Sequence, residues 1–177
     1  MSAAVNVLRP EPLTADPFRA FGDVIEAGDS YELINRGTTR KFADLTQIDV
    51  ATSGGRPCVS LYRAVPFELP LTIRMLERHP LSSQLFMPLH GEPFLIVVAP
   101  AGDQVDRFAM RAFVTNGRQG INYHRGTWHH PLIALRDASE FLVVDRAGDG
   151  KNCDEFFFEN GAIVLHPPSP LAAASEL

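Results

Sequence analysis

Short apolar runs alternate with turn-forming residues along this chain, and no long stretch carries a helical period. Apolar or alternating segments at 5–8, 22–26, 42–50, 58–65, 71–76, 84–89, 94–99, 108–115, 130–135, 141–145 and 155–159 predict strands. Between them, Ser53-Gly54-Gly55, Ala101-Gly102-Asp103, Asn116-Gly117 and Ala147-Gly148-Asp149-Gly150 supply residues that tolerate tight reversals. One short helix is predicted near the start, where Thr14 or Asp16 caps, Pro17 occupies the first turn and Gly22 stops it. The segment 105–113 reads equally as a second short helix or as a strand. Many short strands spaced about ten residues apart predict a mainly β protein, a sandwich or barrel with one or two short helices.

Composition narrows the class. With 177 residues, 45% hydrophobic and 21% charged, the chain is long enough to bury a core without disulfides, and the expectation is one domain over 1–166 followed by a small-residue tail over 167–177. Cys58 and Cys153 lack metal-ligand spacing and read as reduced thiols of a cytoplasmic protein, and Met1-Ser2-Ala3-Ala4 lacks the basic start of a signal peptide. No apolar run approaches a membrane span. A net charge of −5 with scattered arginines argues against nucleic acid but leaves room for a small anionic substrate, because local charge in a cleft outweighs net charge.

Against this background the run Gly120-Ile121-Asn122-Tyr123-His124-Arg125-Gly126-Thr127-Trp128-His129-His130-Pro131 stands out, with three histidines and the single tryptophan in residues 123–130. Gly120 and Gly126 are expected to adopt backbone angles closed to other residues and so to gather polar side chains at one point. In a barrel, polar residues that point inward from neighbouring strands must cluster around a ligand or a metal. Alternate residues of a strand share a face, so Glu77 and His79 point together, with Gln84 returning from the next strand. The spacing Glu77-x-His79, four residues, Gln84, six residues, Gly91, and then His124-x-Gly126-x-x-His129, resembles the two motifs of the cupins. Glu77 and Gln84 are oxygen donors, so a divalent metal held by Glu77, His79, Gln84 and His129 is one expectation.

A closer resemblance spans nearly the whole chain. Pro12-Leu13-Thr14, Phe21-Gly22-Asp23-Val24-Ile25, Ile34-Asn35-Arg36-Gly37-Thr38, Glu77-Arg78-His79-Pro80, Gln84-Leu85-Phe86-Met87-Pro88-Leu89, Phe113-Val114-Thr115-Asn116-Gly117-Arg118-Gln119-Gly120, the histidine-rich run and Asp145-Arg146 resemble successive signatures of the ureidoglycolate lyase family, in order and spacing. His90 departs from the pattern, standing where the family tends to carry lysine. The resemblance implies a cupin-like antiparallel β-barrel (jelly roll), a homodimer, nickel as the divalent metal, and cleavage of (S)-ureidoglycolate to glyoxylate and urea in allantoin degradation.

That reaction collapses a carbinolamide. A base takes the hydroxyl proton, an acid protonates the departing urea nitrogen, and positive groups hold the carboxylate. Histidine suits either proton task, with a reference pKa near ~6.5. His129 is the first choice for the reactive centre and His124 the second. If Glu77, His79, Gln84 and His129 hold a metal, His124 or Tyr123 handles protons. Arg125 or Arg63 clamps the carboxylate, Asn35 and Thr38 reach the urea portion, and Trp128 forms a pocket wall. His130, adjacent to His129, is expected on the opposite face in a structural role. Two rival functions remain at this point: another metal-dependent cupin enzyme, such as an isomerase or dioxygenase, and a ligand-binding barrel without catalysis.

Overall fold

The computed structural model describes residues 6–159 and 163–169. Eight strands form its frame: Arg56–Ala64, Met75–Arg78, Gln84–Pro88, Phe94–Ala99, Arg111–Val114, Gly120–Tyr123, Trp128–His129 and Ser139–Ala147. The first, eighth, third and sixth lie side by side in one sheet, and the second, seventh, fourth and fifth in the other. That order is a double-sheet jelly roll of the kind cupins use. The expected cupin-like, mainly antiparallel β architecture is therefore present.

Additional strands widen the frame. Gly22–Ile25 extends the first sheet, while Asp154–Phe157 and Glu11–Pro12 extend the second. A third sheet, Asn6–Leu8, Ile163–Leu165 and Leu71–Ile73, accompanies them, with Asn6–Leu8 running parallel to its neighbour. The strand Phe94–Ala99 explains why such a layer is needed. Phe94, Ile96 and Val98 enter the core between the two main sheets with Phe86, Phe113 and Phe141. Leu95, Val97 and Ala99 point the other way, into a second core with Leu8, Ile73, Trp128 and Ile163. A strand buried on both faces is apolar at every position, which is the pattern of Phe-Leu-Ile-Val-Val-Ala.

Several expected elements differ. The segment 42–50 is irregular, because its polar groups bond to the sheet laterally: Asn122 Nδ2 donates to Thr46 Oγ1 and to the Gln47 carbonyl, and Ser83 N donates to the Asp49 carbonyl. The run 71–76 divides at Arg74 into two strands that join different sheets. Among the described residues, helix is confined to Ala15–Phe18, whose Phe18 is fully buried, and two short 3-10 turns, while 105–113 forms no helix. Gly120–Tyr123, absent from the predicted strands, is a fully buried strand. Gly120 is absent from the positive-φ residues, whereas Gly126 has φ 78°. A Cβ at Gly120 would stand 2.6 Å from Met87 Sδ and 2.8 Å from the Phe86 carbonyl, so close strand approach is what this glycine permits. Residues 1–5 and the tail from 170 onward lie outside the described residues.

Candidate active site and metal centre

Strand pairing assembles the candidate site. Glu77 sits directly opposite His129 across the ladder between Met75–Arg78 and Trp128–His129. Opposed residues of an antiparallel pair share a face. His79 follows the end of the Glu77 strand, and Gln84 opens the next strand, in register with Tyr123. One ligand atom each from Glu77, His79 and His129 falls within 4.8 Å of the others, so the group can hold a metal ion.

Hydrogen bonds orient both imidazoles. The Nδ1 of His129 lies 3.0 Å from the Thr127 carbonyl, and that of His79 lies 2.6 Å from the Asn152 carbonyl. A carbonyl only accepts, so each Nδ1 carries the hydrogen and each neutral ring presents a lone pair at Nε2. The Nε2 of His79 faces Gln84 Oε1 at 3.1 Å. The Nε2 of His129 is buried without a hydrogen-bond partner, and Glu77 Oε1 lies 3.5 Å from it. A buried, unpartnered lone pair aimed at a carboxylate and a second imidazole fits a divalent cation, and the fixed tautomers are those of metal-ligating histidines.

Electrostatics agree with that arrangement. Burial alone pushes the Glu77 carboxyl up, but attraction to His129, then to His79 and His130, holds it below the ordinary range. Burial, followed by the neighbouring charge of His129, depresses His79. Both shifts favour the forms that bind a cation. The group opens into a cavity of about 730 Å³ whose walls include Tyr62, Arg63, Phe67, Leu132 and Asp145. Burial, then the charges of Asp145 and Glu77, raises the Tyr62 phenol, and burial raises Asp145.

Residues 5–165 match the sequence profile of the family described as ureidoglycolate lyase. The chain belongs to this family. A ureidoglycolate lyase of Pseudomonas syringae pv. tomato is 51% identical over 167 residues, covering 94% of this chain and 98% of the relative. One from Pseudomonas fluorescens is 53% identical over 165 residues, covering 92% and 99%. Among solved structures, RmlC from Streptococcus suis in complex with dTDP-D-xylose aligns at 16% identity with a TM-score of 0.43, over 81% of this chain and 74% of that one.

Residues within the ureidoglycolate lyase signatures go to different places. Glu77, His79, Gln84 and Arg63 line the large cavity, and His129 stands behind Glu77. His124 and Arg125 instead line a separate polar pocket of about 660 Å³, where His124 Nε2 lies 3.1 Å from Asp23 and Arg125 pairs with Asp49. The chain reverses through Gly126 between His124 and His129, so that His124 lines the polar pocket while His129 is buried against Glu77. Asn35 and Thr38 turn inward on their own hairpin, Asn35 Nδ2 donating to Thr39 Oγ1 and Thr38 Oγ1 to the Asn35 carbonyl. Trp128 points into the second core, its Nε1 donating to the Gly102 carbonyl and Arg78 lying 4.8 Å over its ring. Tyr123 is buried flat against His129, and burial raises its phenol so far that it keeps its proton. His130 is buried beside Phe67. Tyr62 and Asp145 are polar cavity residues to which the sequence assigned no role, although Asp145 stands in one of the family signatures. Asp145 had a legible signal: it continues the inward phase of Phe141 and Val143, a carboxylate where alternation calls for a core residue.

Proposed function

We infer that this protein is a ureidoglycolate lyase, an enzyme that cleaves (S)-ureidoglycolate to glyoxylate and urea in purine breakdown. The observation that carries the reading is the unpartnered Nε2 of His129 beside Glu77 and His79, in a chain of this family. Glu77, His79, Gln84 and His129 would hold a divalent cation. Two imidazoles, a carboxylate and an amide oxygen suit nickel, which the family resemblance suggests, as well as manganese or zinc. When bound, such a cation supplies Lewis acidity that eases loss of a nearby hydroxyl proton.

The chain's own groups account for the rest. The hydroxyl of the carbinolamide loses its proton as the carbonyl forms, the carbon–nitrogen bond breaks, and the ureido nitrogen takes a proton. Tyr62 stays protonated and stands on the cavity wall, so it donates to the departing nitrogen and recovers the proton that the hydroxyl releases, leaving no net proton gained or lost. Arg63 lines the mouth, where its guanidinium, now 2.6 Å from Glu140, exchanges that partner for the substrate carboxylate.

A homodimer is part of this reading, supported by the outer edge of Arg56–Ala64, which has no paired neighbour among the described residues and exposes Val59 and Leu61. The free thiols Cys58 and Cys153 fit a cytoplasmic setting. Residues 1–166 are taken to act as one domain.

The deciding experiment follows glyoxylate and urea together from (S)-ureidoglycolate, using protein as purified, after chelation, and after nickel or manganese reloading. Equimolar products that vanish on chelation and return on reloading support the full reading. Products unaffected by verified metal removal would leave the lyase assignment standing and overturn the metal role. No products with any preparation would overturn the assignment itself.

A further inference from the structure

Gln84 and Asp145 form a unit whose geometry bears on the cation site. Their strands pair antiparallel with Val144 opposite Leu85, which brings Asp145 and Gln84 next to one another on the inner face. Both line the large cavity and a smaller one of about 330 Å³ beside it. Gln84 also favours the ionised form of the Asp145 carboxyl, against the burial that raises it. The Gln84 amide has one oxygen and one NH2, and its two neighbours make different demands on them. His79 holds its hydrogen at Nδ1 against the Asn152 carbonyl, so its Nε2 has no hydrogen to give Gln84. An Asp145 carboxylate accepts only, so the Gln84 NH2 must face Asp145 and Oε1 must face His79. Two lone pairs then meet at 3.1 Å, an arrangement that a cation between them reconciles.

We propose that Asp145 is a positioning residue that locks Gln84 with its amide oxygen toward the cation site, and that its carboxylate supplies the negative charge a glutamate at position 84 would otherwise bring. The proposal rests on the four-residue cation site inferred above. It also accounts for glutamine at position 84: a glutamate there would set two carboxylates against each other and disfavour the ionised form of one of them.

Two readouts test it. In the metal-free protein, nitrogen-edited NMR of the Gln84 side-chain NH2 should show a signal protected from solvent exchange, lost in D145A and kept in D145N, whose amide oxygen still accepts the bond. Manganese titration by calorimetry should show affinity reduced on the order of 10–100-fold in D145A, as for other groups that orient a metal ligand, with D145N recovering part of the loss. D145V, with a better strand former at 145, repeats both measurements should D145A fail to fold. A Gln84 signal indifferent to Asp145, or wild-type manganese affinity in D145A or D145V, would overturn the proposal. If the wild-type protein binds no manganese or nickel, the cation site fails, and the metal-free Gln84 signal still decides the orientation by Asp145.

Discussion

The Tyr123 ring lies against the His129 imidazole, centroids 4.2 Å apart and planes inclined by 17°. Phe18 and Phe86 in turn hold Tyr123, with ring centroids at 6.3 and 6.0 Å. Because the phenol keeps its proton, the contribution of Tyr123 is the flat surface that fixes His129. Y123F should therefore bind manganese as the wild type does. Y123A should lose roughly 3–5 kcal/mol of stability as a large-to-small core change and bind manganese on the order of tenfold more weakly. Calorimetric titration with thermal melts checks both; an equal loss in Y123F would assign the role to the hydroxyl instead.

The division between His124 and His129 is open to direct comparison. His129→Ala should abolish glyoxylate formation and weaken ion binding while circular dichroism stays native. His124→Ala, altering a half-exposed pair in the other pocket, should leave turnover within about twofold, the scale of ordinary surface changes. Loss of turnover in H124A with native stability would return His124 to the mechanism.

Stability should respond to pH through buried histidines. Burial holds His130 below the ordinary histidine range, as it does His79, which the His129 charge depresses further. The unfolded chain takes up protons at these positions near pH ~6.5, while the fold resists them until lower pH. Below ~6.5 the unfolded state thus binds more protons, so stability falls as pH drops through this window and the decline levels off below the folded values. Glu77, depressed in the fold, adds stability present above ~4.3 and lost as pH falls through its folded value. Thermal melts of metal-free protein should be flat near neutrality and decline toward pH ~5, with a shallower slope in H130N. A slope unchanged in H130N would remove that residue from the account.

Gly120 tests the close strand approach. With a Cβ facing Met87 Sδ and the Phe86 carbonyl, Gly120→Ala should cost roughly 1–3 kcal/mol by overpacking. It should also weaken ion binding, because the displaced strand carries Gln84. Wild-type melting and manganese affinity in G120A would show that the two strands separate without consequence.

Much of the frame was legible in the chain. Alternation and turn residues located the strands 56–64, 84–88, 94–99 and 139–147 to within a few positions, because local periodicity reports directly on which face is buried. Spacing also picked out Glu77, His79, Gln84 and His129, which lie on or directly after short strands. The strand Gly120–Tyr123 was hidden by its glycine and its polar neighbours, and the bonded loop 42–50 imitated a strand by composition. Proximity in sequence misled at the histidine-rich run: six residues hold His124, Arg125 and His129, yet across the turn at Gly126 the first two line the polar pocket and His129 is buried beside Glu77. No periodicity could bring Asp145 to Gln84, since that contact depends on the register of strands about sixty residues apart, which only long-range packing fixes. The candidate donor types were thus written in the residues themselves. Which lone pairs face inward, and which carboxylate orients them, was decided by the pairing of the sheets.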